Sequence, residues 1–326
     1  MKRVALMRLA VPLAALLALT APAVAQSSNL APTFEEAAAL YSDENYSAAY
    51  EIAAPLATSG NVDAMIMLAE MYEQGLGREA DMANAIQWYD TAAAAGNVPA
   101  MFRLGMLYLR GRGTPADPQK AREYFGQAAS AGNMQAANEL GLMYYQGNGV
   151  EQNAEEAIKH IRKAAQSGLA QAQYNLGLLY ANGHGVEKDV STAGDWFQKA
   201  AVQGLPEAAL DYGLLVYAGE GGIRKDVEIG AQWLQVAANA GNAEAQLIFA
   251  RVLASGRGMK KDRVEAAKFY LLAKQAGKSD ADLDVMLQNL SSPQVGDAER
   301  RARIFTEQLK QKRLNPSDGK SDAASN

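Results

Sequence analysis

The chain has 326 residues, 31 of them Lys or Arg and 36 Asp or Glu, for a net charge of −5, and it contains no cysteine. A net negative chain without a basic block disfavours nucleic acid as a ligand. Without thiols there are no disulfide staples, no thiol chemistry and no thiolate metal sites, so stability must come from packing.

Residues 1–25 have the form of a signal peptide. Lys2, Arg3 and Arg8 give a positive start, Leu9 to Leu19 is apolar, and Ala23-Val24-Ala25 is a small-x-small cleavage site before Gln26. The apolar run falls short of the roughly 20 residues of a membrane span, and no later segment reaches that length. The expectation is a periplasmic or secreted protein, cleaved near Ala25, with no membrane span in the mature chain. Losing three basic residues takes the charge from −5 to −8. Residues 26–59 follow as an N-terminal helical cap or partial repeat, with Tyr46, Tyr50, Ile52 and Leu56 in a helical pair ending at Pro55-Leu56-Ala57.

From Gly60 one pattern recurs six times, opening at Gly60, Gly96, Gly132, Gly168, Gly204 and Gly241, with steps of 36, 36, 36, 36 and 37 residues; Gly277 begins a degenerate seventh copy 36 further on. Such a period marks a solenoid, whose units bury their apolar faces only against neighbours. In the copy from Gly168 to Gln203, Ala170 to Ala181 carries Ala172, Leu176, Gly177 and Tyr180 at helical spacing. Asn182-Gly183-His184-Gly185 ends that helix, and Asp189 caps a second one running to about Val202. Three columns recur. Small residues stand where the first helix is crowded (Ala69, Gly105, Gly141, Gly177, Gly213, Ala250), and caps at Asp81, Asp117, Asn153, Asp189, Asp226 and Asp262. Large residues stand on the second helix (Trp88, Tyr124, His160, Trp196, Trp233, Phe269), where packing is expected. Residues 60–276 thus form six repeats of antiparallel helix pairs. Residues 277–313 form a C-terminal helical cap, with helices expected over Ala281 to Leu290 and Ala298 to Gln311. Residues 314–326 are polar and expected to be disordered.

The residues Ala172, Leu176-Gly177, Tyr180, Gly183-x-Gly185, Asp189, Ala193, Trp196-Phe197 and Ala200-Ala201 resemble the signature of the Sel-one-like repeat (SLR) family, a longer relative of the tetratricopeptide repeat. The resemblance covers about Gly60 to Ala276. The fifth copy departs from it with an extra residue in Gly219-Glu220-Gly221-Gly222, and the sixth has Phe249-Ala250 for Leu-Gly. The fold it implies is an all-α, right-handed α-solenoid of antiparallel helix pairs, about six repeats plus helical caps.

In tetratricopeptide arrays the first helices line a concave groove that binds peptides. The same register here puts Ile66, Glu70 and Glu73, then Leu109, Asn138, Leu210, Leu247 and Arg251, on the groove, with charge mainly at its ends. Phe102, Met106, Leu142, Tyr145, Tyr174, Leu178, Leu214 and Tyr217 are the expected partner-binding residues. The implied function is a non-enzymatic scaffold or adaptor that holds a segment of another envelope or periplasmic protein, regulating a signalling or assembly system. No cofactor, metal or catalytic residue is expected. His160 sits at a packing position, His184 lies in an exposed turn, and Gly-x-Gly recurs because every repeat must turn. The alternative is a glycan- or peptidoglycan-binding module, although the tryptophans sit at packing positions. A hydrolase of the β-lactamase-associated repeat type fits least, because those relatives are cysteine-rich.

Overall fold

The computed structural model describes residues 32–314, so the signal segment and all of the C-terminal tail beyond Leu314 lie outside the described residues. Sixteen helices follow in order, and among the described residues there is no strand. They are α1 (Phe34–Ser42), α2 (Tyr46–Thr58), α3 (Val62–Gln74), α4 (Met82–Ala94), α5 (Val98–Arg110), α6 (Pro118–Ser130), α7 (Met134–Gln146) and α8 (Ala154–Gln166). They continue as α9 (Ala170–Asn182), α10 (Val190–Val202), α11 (Pro206–Ala218), α12 (Val227–Asn239), α13 (Ala243–Ser255), α14 (Arg263–Gln275), α15 (Ala281–Gln288) and α16 (Ser292–Leu314). Each of α3 to α14 is 13 residues long. At about 1.5 Å per residue the units are equally tall, close to 20 Å. From α1 to α14 each odd helix packs against the even helix after it, and each even helix up to α12 against the next odd one, so the stack grows by one hairpin at a time.

Capping chemistry sets these bounds. All six residues expected to cap the second helices accept backbone amide bonds with their side chains. A second series, not anticipated from the sequence, caps the first helices through Asn61, Asn97, Asn133 and Asn242. Leu169 and Leu205 replace it in the fourth and fifth copies and form no side-chain cap. At the other end of α9, Gly183 adopts φ 74° and donates its amide to the Leu179 carbonyl at 2.9 Å, a left-handed C-cap that favours glycine.

Within each hairpin the helices approach closely. A Cβ on Gly141 would lie 2.6 Å from Ile161 and 2.9 Å from the Ala157 carbonyl, and one on Gly177 would lie 2.6 Å from the Phe197 ring. The sealing side chain on the even helix is therefore the residue after the large one singled out in the sequence. Tyr89, Phe125, Ile161, Phe197, Leu234 and Tyr270 are buried, whereas Trp88, Tyr124, His160, Trp196 and Trp233 are half-buried. Two of the latter stack on first-helix tyrosines, Tyr124 on Tyr108 and His160 on Tyr144, each with centroids 5.8 Å apart. Phe269 is buried as well because α16 covers it, with Phe305 edge-on at 6.0 Å.

The C-terminal cap departs most from expectation, since its last helix starts at Ser292 rather than Ala298. The reason is local. Ser291 donates its amide to Gln294 Oε1 at 2.9 Å, and Pro293 sits in the first turn where no amide hydrogen is needed. From there α16 runs along α14, with Arg301 paired to Glu265 at 3.1 Å and Leu309 against Gly241.

Candidate functional site

Steps of 36 residues, with 37 into the sixth copy, arrange the odd helices into columns. One column holds Glu70, Met106, Leu142, Leu178, Leu214 and Arg251; its neighbour holds Arg103, Glu139, Asn175, Asp211 and Ile248. Met106, Leu142 and Leu178 are half-buried and Leu214 is 37% exposed, so four successive repeats offer apolar surface at one level. Phe102 and Tyr174, in the next column, sit at the core margin with rings 5.8 Å from Phe125 and 5.5 Å from Phe197. Asn138, Leu210 and Leu247 in that column, and Glu73, are buried, so these four expected groove residues belong to the interior.

The three groove tyrosines are tied to the following repeat. The Tyr145 hydroxyl bonds His184 Nδ1 at 2.7 Å, Tyr174 donates to Asp211 at 3.0 Å, and Tyr217 donates to the Arg257 carbonyl at 3.2 Å. Asn175 likewise donates to Asn138 at 2.8 Å. These bonds hold adjacent units in register and occupy the polar tips of the tyrosines, which leaves their ring edges and the Met/Leu column as the open apolar surface.

Charge is not confined to the two ends. Glu73 accepts bonds from Arg103 and, at 3.0 Å, from the buried Tyr89 hydroxyl, and Arg112 lies at 3.4 Å. Burial and then the Glu73 charge push the Tyr89 phenol up. Glu70 has no ion pair or hydrogen bond from its carboxylate among the described residues; burial and then repulsion from Glu73 raise its pKa. Burial likewise raises Glu139, against the Asn138 bond and the Arg110 charge, and Asp211, against the Tyr174 bond. Sequence reasoning placed Glu70 and Glu73 on the groove but did not single out Glu139 or Asp211. Their column register could have flagged them, because they share rows with the apolar residues.

Two hollows above 500 Å³ open on this odd-helix face. One, of about 530 Å³, is bounded by Ile66, Glu70, Glu73, Phe102 and Arg103; the other, of about 550 Å³, by Tyr217, Ile248, Arg251, Arg257 and Met286. A smaller one of about 120 Å³ brings together Leu142, Tyr145, Leu178 and His184. Met106, Tyr174 and Leu214 line none of the three and lie between them. His160 is held below the usual histidine range, first by burial. Among the described residues no group of three or more His, Asp or Glu is arranged to hold a metal ion, and no helix is long and apolar enough to cross a membrane.

An array of this period, with caps, close glycine contacts and aromatic seals at these positions, is a Sel1 repeat protein. The Sel1 repeat pattern matches residues 62–97, 98–133, 135–169, 170–205, 206–242 and 243–278, and the chain belongs to that family. Its fold is similar to a Sel1 repeat protein from Oxalobacter formigenes (31% identity, TM-score 0.69), covering 75% of this chain and 100% of that one. It is also similar to c5321, a protective antigen of uropathogenic Escherichia coli strains with an SLR fold (25% identity, TM-score 0.50), covering 85% of this chain and 69% of that one. No curated protein matches the chain. Sel1 repeats mediate protein interactions and are typically non-enzymatic scaffolds.

Proposed function

We propose that this protein is an exported, non-enzymatic adaptor whose odd-helix groove holds a segment of another periplasmic or envelope protein, and through it regulates an envelope signalling or assembly system. The observation that carries this reading is the column Met106, Leu142, Leu178 and Leu214. Every signature position of the repeat is used by a turn, a cap or a close contact, yet these four apolar side chains remain partly open on one face. Scattered exposed apolar residues need no explanation, whereas a contiguous strip is a feature of partner sites. Phe102, Tyr145, Tyr174 and Tyr217 flank the strip with large rings of the kind enriched at interfaces. The signal-like residues 1–25 support export.

The test is site-specific photo-crosslinking in cells, with the probe at Leu178 and, as a control, at the exposed Val202 at the end of α10, the second helix of the same hairpin. A defined adduct from position 178 in the periplasmic fraction, absent from position 202 and weakened by Leu142→Gln, is the expected result. Adducts of equal yield from both positions would refute the groove as the site.

A further inference from the structure

The charges around the apolar column restrict what can lie on it. Helices α7, α9 and α11, which supply Leu142, Leu178 and Leu214, contain no Lys or Arg at all. Their acidic residues are Glu139, Glu207 and Asp211. Glu139 and Asp211 occupy one column, two repeats apart, directly beside the apolar one, and each is partly withdrawn from water. At the N-terminal end Glu70 continues the apolar column itself and borders the hollow of about 530 Å³ without a cationic partner of its own. Among the described residues Arg110, whose charge acts on Glu139, forms no ion pair with it, and two other cations near the groove are engaged elsewhere. Arg103 is held by Glu73, and Arg251 by Asp280.

A ligand covering this face would desolvate three carboxylates that the array leaves without a cation in contact. Burying an unpaired charge is costly, and the cost is met only when the incoming surface supplies the counter-charge. An acidic or neutral apolar segment would leave those groups stranded; one that alternates apolar residues with Lys or Arg would pair them. Resting on the groove reading above, we infer that the occupant is a basic, apolar segment of a partner protein. Its apolar side chains lie on Met106, Leu142, Leu178 and Leu214, and its Lys or Arg residues face Glu70, Glu139 and Asp211.

Three fluorescent peptide sets, matched in length and apolar content and differing only in Lys, Gln or Glu at the polar positions, test this by anisotropy with the purified protein. The Lys set should bind about tenfold tighter than the Glu set at low salt, and the gap should shrink several-fold at 0.5 M salt as screening shortens the reach of the charges. Glu139→Gln combined with Asp211→Asn, with the fold checked by circular dichroism, should bring the Lys set down to the level of the Gln set. Leu178→Gln should weaken all three sets. If the Glu set binds as tightly as the Lys set, or the double variant changes nothing, the basic-segment inference is overturned; a continued loss with Leu178→Gln would then leave the groove reading standing. If Leu178→Gln has no effect on any set, or no set binds up to about 1 mM, the groove reading falls with it.

Discussion

A matched pair of glycine-to-alanine changes separates packing from propensity in this array. Gly141 and Gly126 both lie inside 13-residue helices, α7 and α6. Alanine is favoured over glycine in a helix interior by about 1 kcal/mol, so propensity alone makes both changes stabilising. The surroundings differ. A Cβ at Gly126 meets nothing within 4 Å, whereas one at Gly141 meets Ile161 Cγ1 at 2.6 Å, the Ala157 carbonyl at 2.9 Å and the Ile161 amide nitrogen at 3.2 Å. Two of those three atoms are backbone, so no rotamer change relieves the clash and α7 must draw away from α8. Overpacking of this kind costs about 1–3 kcal/mol, and the fixed partners place it in the upper half of that range. Gly126→Ala should stabilise by about 0.5–1 kcal/mol and Gly141→Ala should destabilise by about 1–2 kcal/mol. Urea midpoints followed by circular dichroism read the difference, with the slope checked for loss of cooperativity, because repeat arrays can depart from two-state unfolding. A Gly141→Ala protein stabilised as much as Gly126→Ala would refute the close-contact argument, since the propensity gain would then stand unopposed.

Glu73→Ala should cost about 2–3 kcal/mol in the same assay, mainly because it strands the buried Tyr89 hydroxyl, while the half-exposed Arg103 can return to water. Glu73→Gln keeps an acceptor for Tyr89 and should cost about half as much; equal losses would show that the charge, not the acceptor, is what matters. Burial raises the folded-state pKa of Glu139 and Asp211, so the native state holds their protons more tightly than the unfolded chain does. These groups therefore favour folding when protonated, and the advantage is lost as pH rises from about 4 through the raised folded values. Glu139→Gln and Asp211→Asn should accordingly stabilise relative to wild type at pH 7, with the benefit shrinking as pH approaches 4. A benefit that grows on acidification would mean that the carboxylates are stabilised, not strained, by their surroundings.

The repeats were legible because turn, cap and crowding constraints each demand a particular residue type and recur six times. Gly183 and Asp189 name their own structural roles, and the expected end of α10 at Val202 agrees with the structure. The cap at 292 was harder to see, since Ser291-Pro293-Gln294 occurs once and has no second copy to reinforce it. At the groove, periodicity identified which helix faces carry Met106 and Leu178 but could not say how deep each level sits. Asn138 and Leu210 share a column with Tyr174, yet are buried where Tyr174 reaches the margin to bond Asp211. Such differences depend on how adjacent hairpins interlock, which a one-dimensional register does not record. The pairing of the tyrosines with later repeats was invisible for the same reason, as each partner lies 37 to 40 positions away.

Those ties also bear on how such a chain can change length over evolution. Tyr174 to Asp211 spans 37 positions, and even Leu309 to Gly241, the reach of α16, spans only 68. Removing or duplicating one whole period therefore leaves each remaining odd helix presenting the same side, with its neighbours at the correct height. A deletion of any other size within a helix rotates everything downstream by about 100° per residue. The extra residue of the fifth copy is harmless on this view because it falls in the loop between α11 and α12. A gene for this protein can gain or lose binding length in single-hairpin increments, while its ends and the faces between them stay as they are.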